Sequence, residues 1–168
     1  VVLEDVSASA KRYAQIHNGT NEQNYDGGVI TVDLGQATHV GGRFAHSNST
    51  RLRVSQKGRF RFDYVVNCRD DSQGNRQTPH AWLYVLGADG TDYDVPASHA
   101  YSYIRHNNSD GNRNRLTVTG IIDLLTDDEV EVRVEKYVQE SSGASYTMSN
   151  SCWLSLEELP AGSRVMSA

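Results

Sequence analysis

Chemistry in this chain would have to be built from six histidines, two cysteines and a few groups of carboxylates. His17, His39, His46, His80, His99 and His106 are scattered with no HxH or HExxH spacing, so a metal site would need them to converge from separate loops. Each reads as a surface or turn histidine. Asp70-Asp71, Asp92 with Asp94, and Asp127-Asp128-Glu129 fall in turn-rich stretches, where Asp serves the backbone. Glycoside hydrolysis would need two carboxylates facing each other about 5–10 Å apart across a cleft. Ser98 adjoins His99, but neighbours on a strand face opposite ways, so they are no ready nucleophile and base. The loop at residues 107–112 lacks the spaced acids and closing Glu of a calcium loop. There is no GxSxG elbow, P-loop or GxGxxG. No catalytic residue, metal or cofactor is expected.

The elements available to position any site are strands. In residues 116–138, Leu116, Val118, Gly120 and Ile122 share one parity, the polar turn Thr126-Asp127-Asp128 follows, and Val130, Val132 and Val134 then alternate with Glu131, Arg133 and Glu135. Side chains on a strand alternate faces, so this predicts a hairpin of two half-buried strands, one face in a core and the charged face wet. In RFRFDYVVNC, at residues 59–68, Phe60, Phe62, Tyr64, Val66 and Cys68 are assigned to the core, and Arg59, Arg61, Asp63 and Val65 to the other face. Further strands are expected at 11–16, 29–34, 50–54, 80–86, 91–96, 101–105 and 151–159, separated by polar loops at 17–28, 69–78 and 106–114 and a Gly143-centred turn. Turn signals at this spacing, without a repeat, a heptad or a convincing amphipathic helix, predict an all-β antiparallel sandwich.

A chain of 168 residues suits one domain with a real core. It reads as an arm or linker at 1–10, one domain at 11–160 and a tail at 161–168, with a start that is not a signal peptide and suggests a processed product or an excised domain. The net charge of −5 gives no footprint for nucleic acid, and no apolar run reaches the ~20 residues of a membrane helix. Two cysteines make neither a disulfide scaffold nor a metal site by spacing. Tyrosine supplies nine of the aromatic residues, a bias that suits either molecular contact or ordinary sheet packing.

The order of these segments resembles the C1q/TNF-like jelly-roll superfamily. GRFRFDYVV resembles that family's G-x-Y-x-F strand, HAWLYVLGADG its next strand, LTVTGIIDLLTDDEVEVRV its G-x-x-x-L-x-x-GD-x-V segment and SCWLSLEEL its closing strand. The match spans about residues 51–159; Asp127-Asp128 stands where Gly-Asp is usual, Ser155 where Gly is usual, and no collagen-like tract precedes it. The resemblance implies a two-sheet jelly roll that forms a homotrimer. It places Arg61, Asp63, Thr117, Thr119, Ile121, Trp153 and Ser155 on the sheet face turned to the threefold axis. It also brings Cys68 and Cys152 together on the core side, either bonded or as two buried thiols.

The function expected is therefore non-enzymatic assembly and presentation. One reading is a virion surface component, a capsid decoration or fibre head (possessing bland polar loops and few cysteines), docked to a capsid or fibre through residues 1–16, from Val1 to Ile16. The alternative is an extracellular C1q-like recognition module binding a glycan or protein of a host surface through Tyr93, Tyr101, Tyr103 and Tyr146. Neither involves nucleic acid or membrane insertion.

Overall fold

The computed structural model describes residues 12–25, 27–70, 76–105, 113–137 and 146–160. The expected arm and tail, the Gly143-centred turn and most of the 106–114 loop lie outside them. In chain order the strands are β1 (Tyr13–His17), β2 (Gln23–Tyr25), β3 (Ile30–Thr31), β4 (Gln36–His39), β5 (Phe44–Asn48), β6 (Arg51–Val54), β7 (Gly58–Arg69) and β8 (Arg76–Gln77). There follow β9 (Pro79–Leu86), β10 (Tyr93–Asp94), a 3-10 turn at Pro96–Ser98, β11 (Ala100–Tyr101), β12 (Ile104–Arg105), β13 (Arg113–Leu124), β14 (Glu129–Lys136), β15 (Tyr146–Met148) and β16 (Trp153–Glu158).

Two antiparallel sheets close on one core. The first runs β2-β15-β7-β16-β1-β4, with β13 also paired to β7; the second runs β10-β9-β14-β6-β5, with β11 also on β9 and β3 on β14. The alternating strand β7 behaves as its sequence requires: Phe60, Phe62, Tyr64, Val66 and Cys68 are all buried, facing Leu83, Val85, Val130, Val132 and Val134 from the second sheet. Burying such side chains contributes about 1.5–3 kcal/mol each.

The segment expected as a hairpin is a crossover. Strand β13 pairs with β7 in the first sheet, whereas β14 pairs with β9 and β6 in the second. The intervening turn is clamped to the end of β6: the Asp127 amide donates to the Val54 carbonyl at 2.7 Å, and the Val54 amide to the Asp128 carbonyl at 3.0 Å. Asp127 takes φ 67°, and the buried Asp128 carboxylate accepts from the Leu125 and Ala88 amides at 2.7 and 3.1 Å. The chain changes sheet here because this turn is held from both sides, so both apolar faces still meet the same core.

Other expectations shift. The polar 17–28 stretch contains β2, whose Tyr25 is buried, and the 29–34 strand contracts to β3. Strands β4 and β5 carry too few apolar residues to be read from alternation. The outward face of β14 is not uniformly wet: Glu131 has no exposure, its carboxylate held by Arg51 Nε and Arg133 Nε, both at 2.7 Å, and by the Thr31 hydroxyl at 3.1 Å. The arm assigned to docking also ends inside the fold, since Ala14 and Ile16 are buried in β1, between β16 and β4.

Gly120 lies opposite Phe62, and a β-carbon there would sit 2.5 Å from Phe62 Cζ. Gly120→Ala should therefore destabilise the fold by about 1–3 kcal/mol. Urea unfolding checks this: the midpoint should fall with an unchanged m-value, and an unchanged midpoint would refute the packing argument.

Candidate interaction surfaces

Residues paired across an antiparallel sheet share a face, so the register defines the outer face of the first sheet row by row. One row is Ile121, Arg61, Glu157 and Tyr13; the next is Thr119, Asp63, Ser155 and Gln15; the third is Thr117, Val65, Trp153 and His17. All seven residues assigned to the subunit contact therefore share this face. They differ in exposure. Ile121 is 52% exposed, Trp153 is partly buried and Ser155 is already buried within the single chain. Val65 points away from the core, as expected, yet is buried between Thr117 and Trp153 in register.

The charges on this face pair among themselves. Arg61 lies 3.3 Å from Asp63 and 3.1 Å from Glu157, Thr119 donates to Asp63, and at the edge Arg59 makes a two-point contact with Asp123 at 2.8 and 2.9 Å. Bond formation with Arg59 holds the Asp123 carboxyl below its usual range, and the Asp63 and Glu157 charges, after burial, raise the Tyr13 phenol. A nearly neutral face with isolated apolar projections is suited to packing against another surface rather than to binding an ion.

On the core side, both cysteines are free and buried. The Cys152 sulfur accepts from the Asn67 amide at 3.3 Å and contacts the Ser149 carbonyl at 3.2 Å. Burial pushes the Cys152 thiol up to about 11 and, with Cys152 nearby, pushes Cys68 well above its ordinary value. These are packing groups rather than nucleophiles.

The outer face of the second sheet carries a grouping that sequence reasoning missed. His80, on β9, has Nδ1 2.9 Å from Glu135 Oε1 and Nε2 2.8 Å from His99 Nδ1. Its ring stacks on Trp82 at 4.7 Å and on Tyr101 at 4.2 Å with planes 4° apart, and Trp82 Nε1 donates to Asp94 at 2.7 Å. Tyr101 meets Tyr137 edge-on at 5.4 Å, and Arg133 lies 3.2 Å over the ring of Tyr84. The two histidines are 19 positions apart and join because β11 returns along the same strand as β10; only the Tyr101↔His80 register, invisible in spacing, could have signalled it.

Among the described residues, no nucleophile stands at the end of the carboxylate–histidine–histidine chain. Ser98 is buried, its hydroxyl accepting from the Leu83 amide at 2.8 Å and donating to the Val95 carbonyl at 2.7 Å. No group of three His, Cys, Asp or Glu among the described residues is arranged to hold a metal. Of the four tyrosines assigned to ligand contact, Tyr93, Tyr101 and Tyr103 are exposed, Tyr101 at 60%. Tyr146 must be withdrawn: it is 1% exposed, stacked on Tyr25 at 4.5 Å, and its hydroxyl donates to the Glu135 carbonyl at 3.1 Å. The short strand β15 turns it into the core. A polar cleft of about 390 Å³, lined by residues including Asn67, Arg113, Arg115 and Ser149, opens at the end of β7 and β13.

No sequence-family model matches the chain, and no curated protein does. Solved structures do match. The chain is similar to an Eiger TNF from S. frugiperda with a TM-score of 0.67 at 12% identity, over 93% of this chain and 97% of that one. Murine APRIL at pH 5.0 gives 0.62 at 15% identity over 88% and 98%, and at pH 8.5 it gives 0.59 at 16% over 88% and 99%. The likeness is one of fold: a two-sheet, TNF-like jelly roll.

The thiol environment has a direct readout. At about pH 8, a disulfide-exchange reagent should find no reactive thiol in the native protein and both in denaturant. Rapid modification of the native chain would mean the β7–β15 contact is open.

Proposed function

We propose that this chain is a non-enzymatic extracellular recognition module that works as a homotrimer and binds a protein or glycan through exposed loops and edges. The observation that carries the reading is the outer face of the first sheet, where Ile121 is exposed and Trp153 only partly covered amid a self-neutralised set of charges. A large apolar side chain on an otherwise paired sheet face is what an obligate contact uses. The resemblance to C1q/TNF-like domains supports turning this face to a threefold axis, with Arg61, Asp63, Thr117 and Thr119 around Ile121 and Trp153. Ser155 contributes as a spacer beneath that contact, being buried in the single chain.

The similar structures are of TNF-type ligands, which supports the extracellular reading and lends nothing to a capsid decoration or fibre head. A docking role for Val1 to Ile16 is weakened further by the burial of Ala14 and Ile16 in β1. On this reading the ligand meets Tyr93, Tyr101 and Tyr103, whose rings offer contact area at low entropic cost.

Light scattering over a dilution series tests assembly. The expected mass is three times 18.6 kDa, persisting on dilution. Ile121→Glu should shift the mass to a folded single chain, because an unpaired carboxylate would be buried at the contact. A wild-type monomer at all concentrations would remove the reading's basis.

A further inference from the structure

The contact between His80 and His99 imposes a limit on how many protons the two rings hold. At 2.8 Å, one hydrogen must lie between His80 Nε2 and His99 Nδ1, so one nitrogen donates and the other accepts. On the far side, His80 Nδ1 faces the Glu135 carboxylate at 2.9 Å, which accepts only, so that nitrogen carries a hydrogen. With both rings neutral, the bare His80 Nε2 must accept from His99 Nδ1–H. One added proton leaves the arrangement intact, since a single hydrogen still lies between the rings. With both rings charged, two N–H groups point at each other across 2.8 Å, and the contact cannot stand.

We propose that His80 and His99 form an acid-operated latch on the edge of the second sheet. Closed, it holds residues 99–101 against β9; doubly protonated, it releases them and uncovers Trp82. The segment it holds is short. Strand β11 pairs with β9 through Ala100↔Ala81 and Tyr101↔His80, and the Ser102 amide adds one bond to the Pro79 carbonyl at 3.0 Å. Besides these bonds, Ala100 packs against the core, and Tyr101 stacks on His80 and His99 on Trp82, the latter at 5.9 Å. The neighbouring Ser98 is fixed independently: its carbonyl lies 2.6 Å from the Tyr64 hydroxyl and its side chain bonds Leu83 and Val95. The hinge therefore falls between Ser98 and His99, and release stops there.

The groups facing the pair set the direction. Glu135 on β14 and Asp94 on β10 favour charge on His80; Arg133, opposite Trp82 on β14, is committed to Glu131 and the Tyr84 ring; the rings of Tyr101 and Tyr137 pack beside the pair. Burial pushes His80 below its ordinary 6.5, His99 adds to this, and Glu135 and Asp94 oppose it. A base held below its ordinary value stabilises the closed form above 6.5 and loses that stabilisation as pH falls through the lowered value. The latch is shut at neutral pH and opens in acid.

Hydrogen exchange by mass spectrometry, corrected for the intrinsic pH dependence, tests this on the intact chain. Between about pH 8 and pH 4.5, protection at residues 100–102 should fall at least about tenfold while the Leu83 and Ser98 amides stay protected. His99→Gln, which can donate or accept but does not titrate, should abolish the acid loss. Glu135→Gln should move the midpoint down by about one pH unit. Protection that persists in acid, or an acid loss unchanged in H99Q, would overturn the latch. Should H99Q fail to fold, ¹⁵N imidazole spectra of the wild type across the same pH range decide: both rings becoming fully protonated where residues 100–102 lose protection supports the latch, and loss of protection while one ring stays neutral refutes it.

Discussion

Three buried tyrosine hydroxyls tie the two sheets together across the core. Tyr64, on β7, reaches the carbonyls of Ser98 and Ala81 at 2.6 and 3.0 Å on the second-sheet side. Tyr146 donates to the Glu135 carbonyl, and the Tyr25 hydroxyl accepts from the Lys136 amide at 2.9 Å while donating to the Gly28 carbonyl at 2.9 Å. Apolar burial is non-directional and would let one sheet slide over the other by a residue or two. A phenol inside the core must find its partner, because leaving it unbonded costs on the order of 1–3 kcal/mol, and that requirement selects one register. Burial also pushes the Tyr64 and Tyr146 phenols well above the ordinary range, so they remain donors.

The outer face of the second sheet inherits its geometry from these ties. Holding Ser98 places His99 and Tyr101 on β9, and holding the carbonyls and amides at the end of β14 sets Glu135 beside His80. The first sheet's outer face is governed instead by its ladder, in which β7 is paired on both flanks by β13 and β16. There the charges are neutralised within the face, whereas on the second sheet they are arranged around rings. One sandwich thus presents two surfaces of different character, one suited to packing and the other to titration.

Alternation made the inward residues legible. Phe60 to Cys68 on even positions and Val130, Val132 and Val134 all fall where period two places them, because a strand with one buried face leaves no other choice. The parity of β13 was equally readable, but its partner was not: a hairpin and a crossover share one alternation, and what separates them is the clamp of Asp127 and Asp128 on Val54, a contact 74 positions from Asp128. Strand β15 was missed because three residues, Tyr146 to Met148, are too few to show a period, and Tyr146 was therefore placed in a loop. The histidine pair was missed for a related reason. Each histidine alone has the pattern of a surface residue, and only the two-residue pairing of β11 on β9 joins them.

Fold likeness at 12–16% identity constrains the inward positions and leaves function to the outward ones. Burial then narrows the outward set. Val65, Ser155 and Glu131 point away from the core yet are buried in the single chain, so those patches are already committed internally. Ile121, Tyr101, Tyr103 and Tyr137 are open, and Tyr93, in register with the inward Val85, is open only because β10 lies at the sheet edge. Three of them divide between the two surfaces: Ile121 on the ladder face, and Tyr101 and Tyr137 around the histidine pair. Because β13 belongs to the first sheet and β11 to the edge of the second, covering Ile121 leaves the ring stack on a separate face of the sandwich. Assembly through one surface and recognition or titration at the other are thus compatible in the same chain.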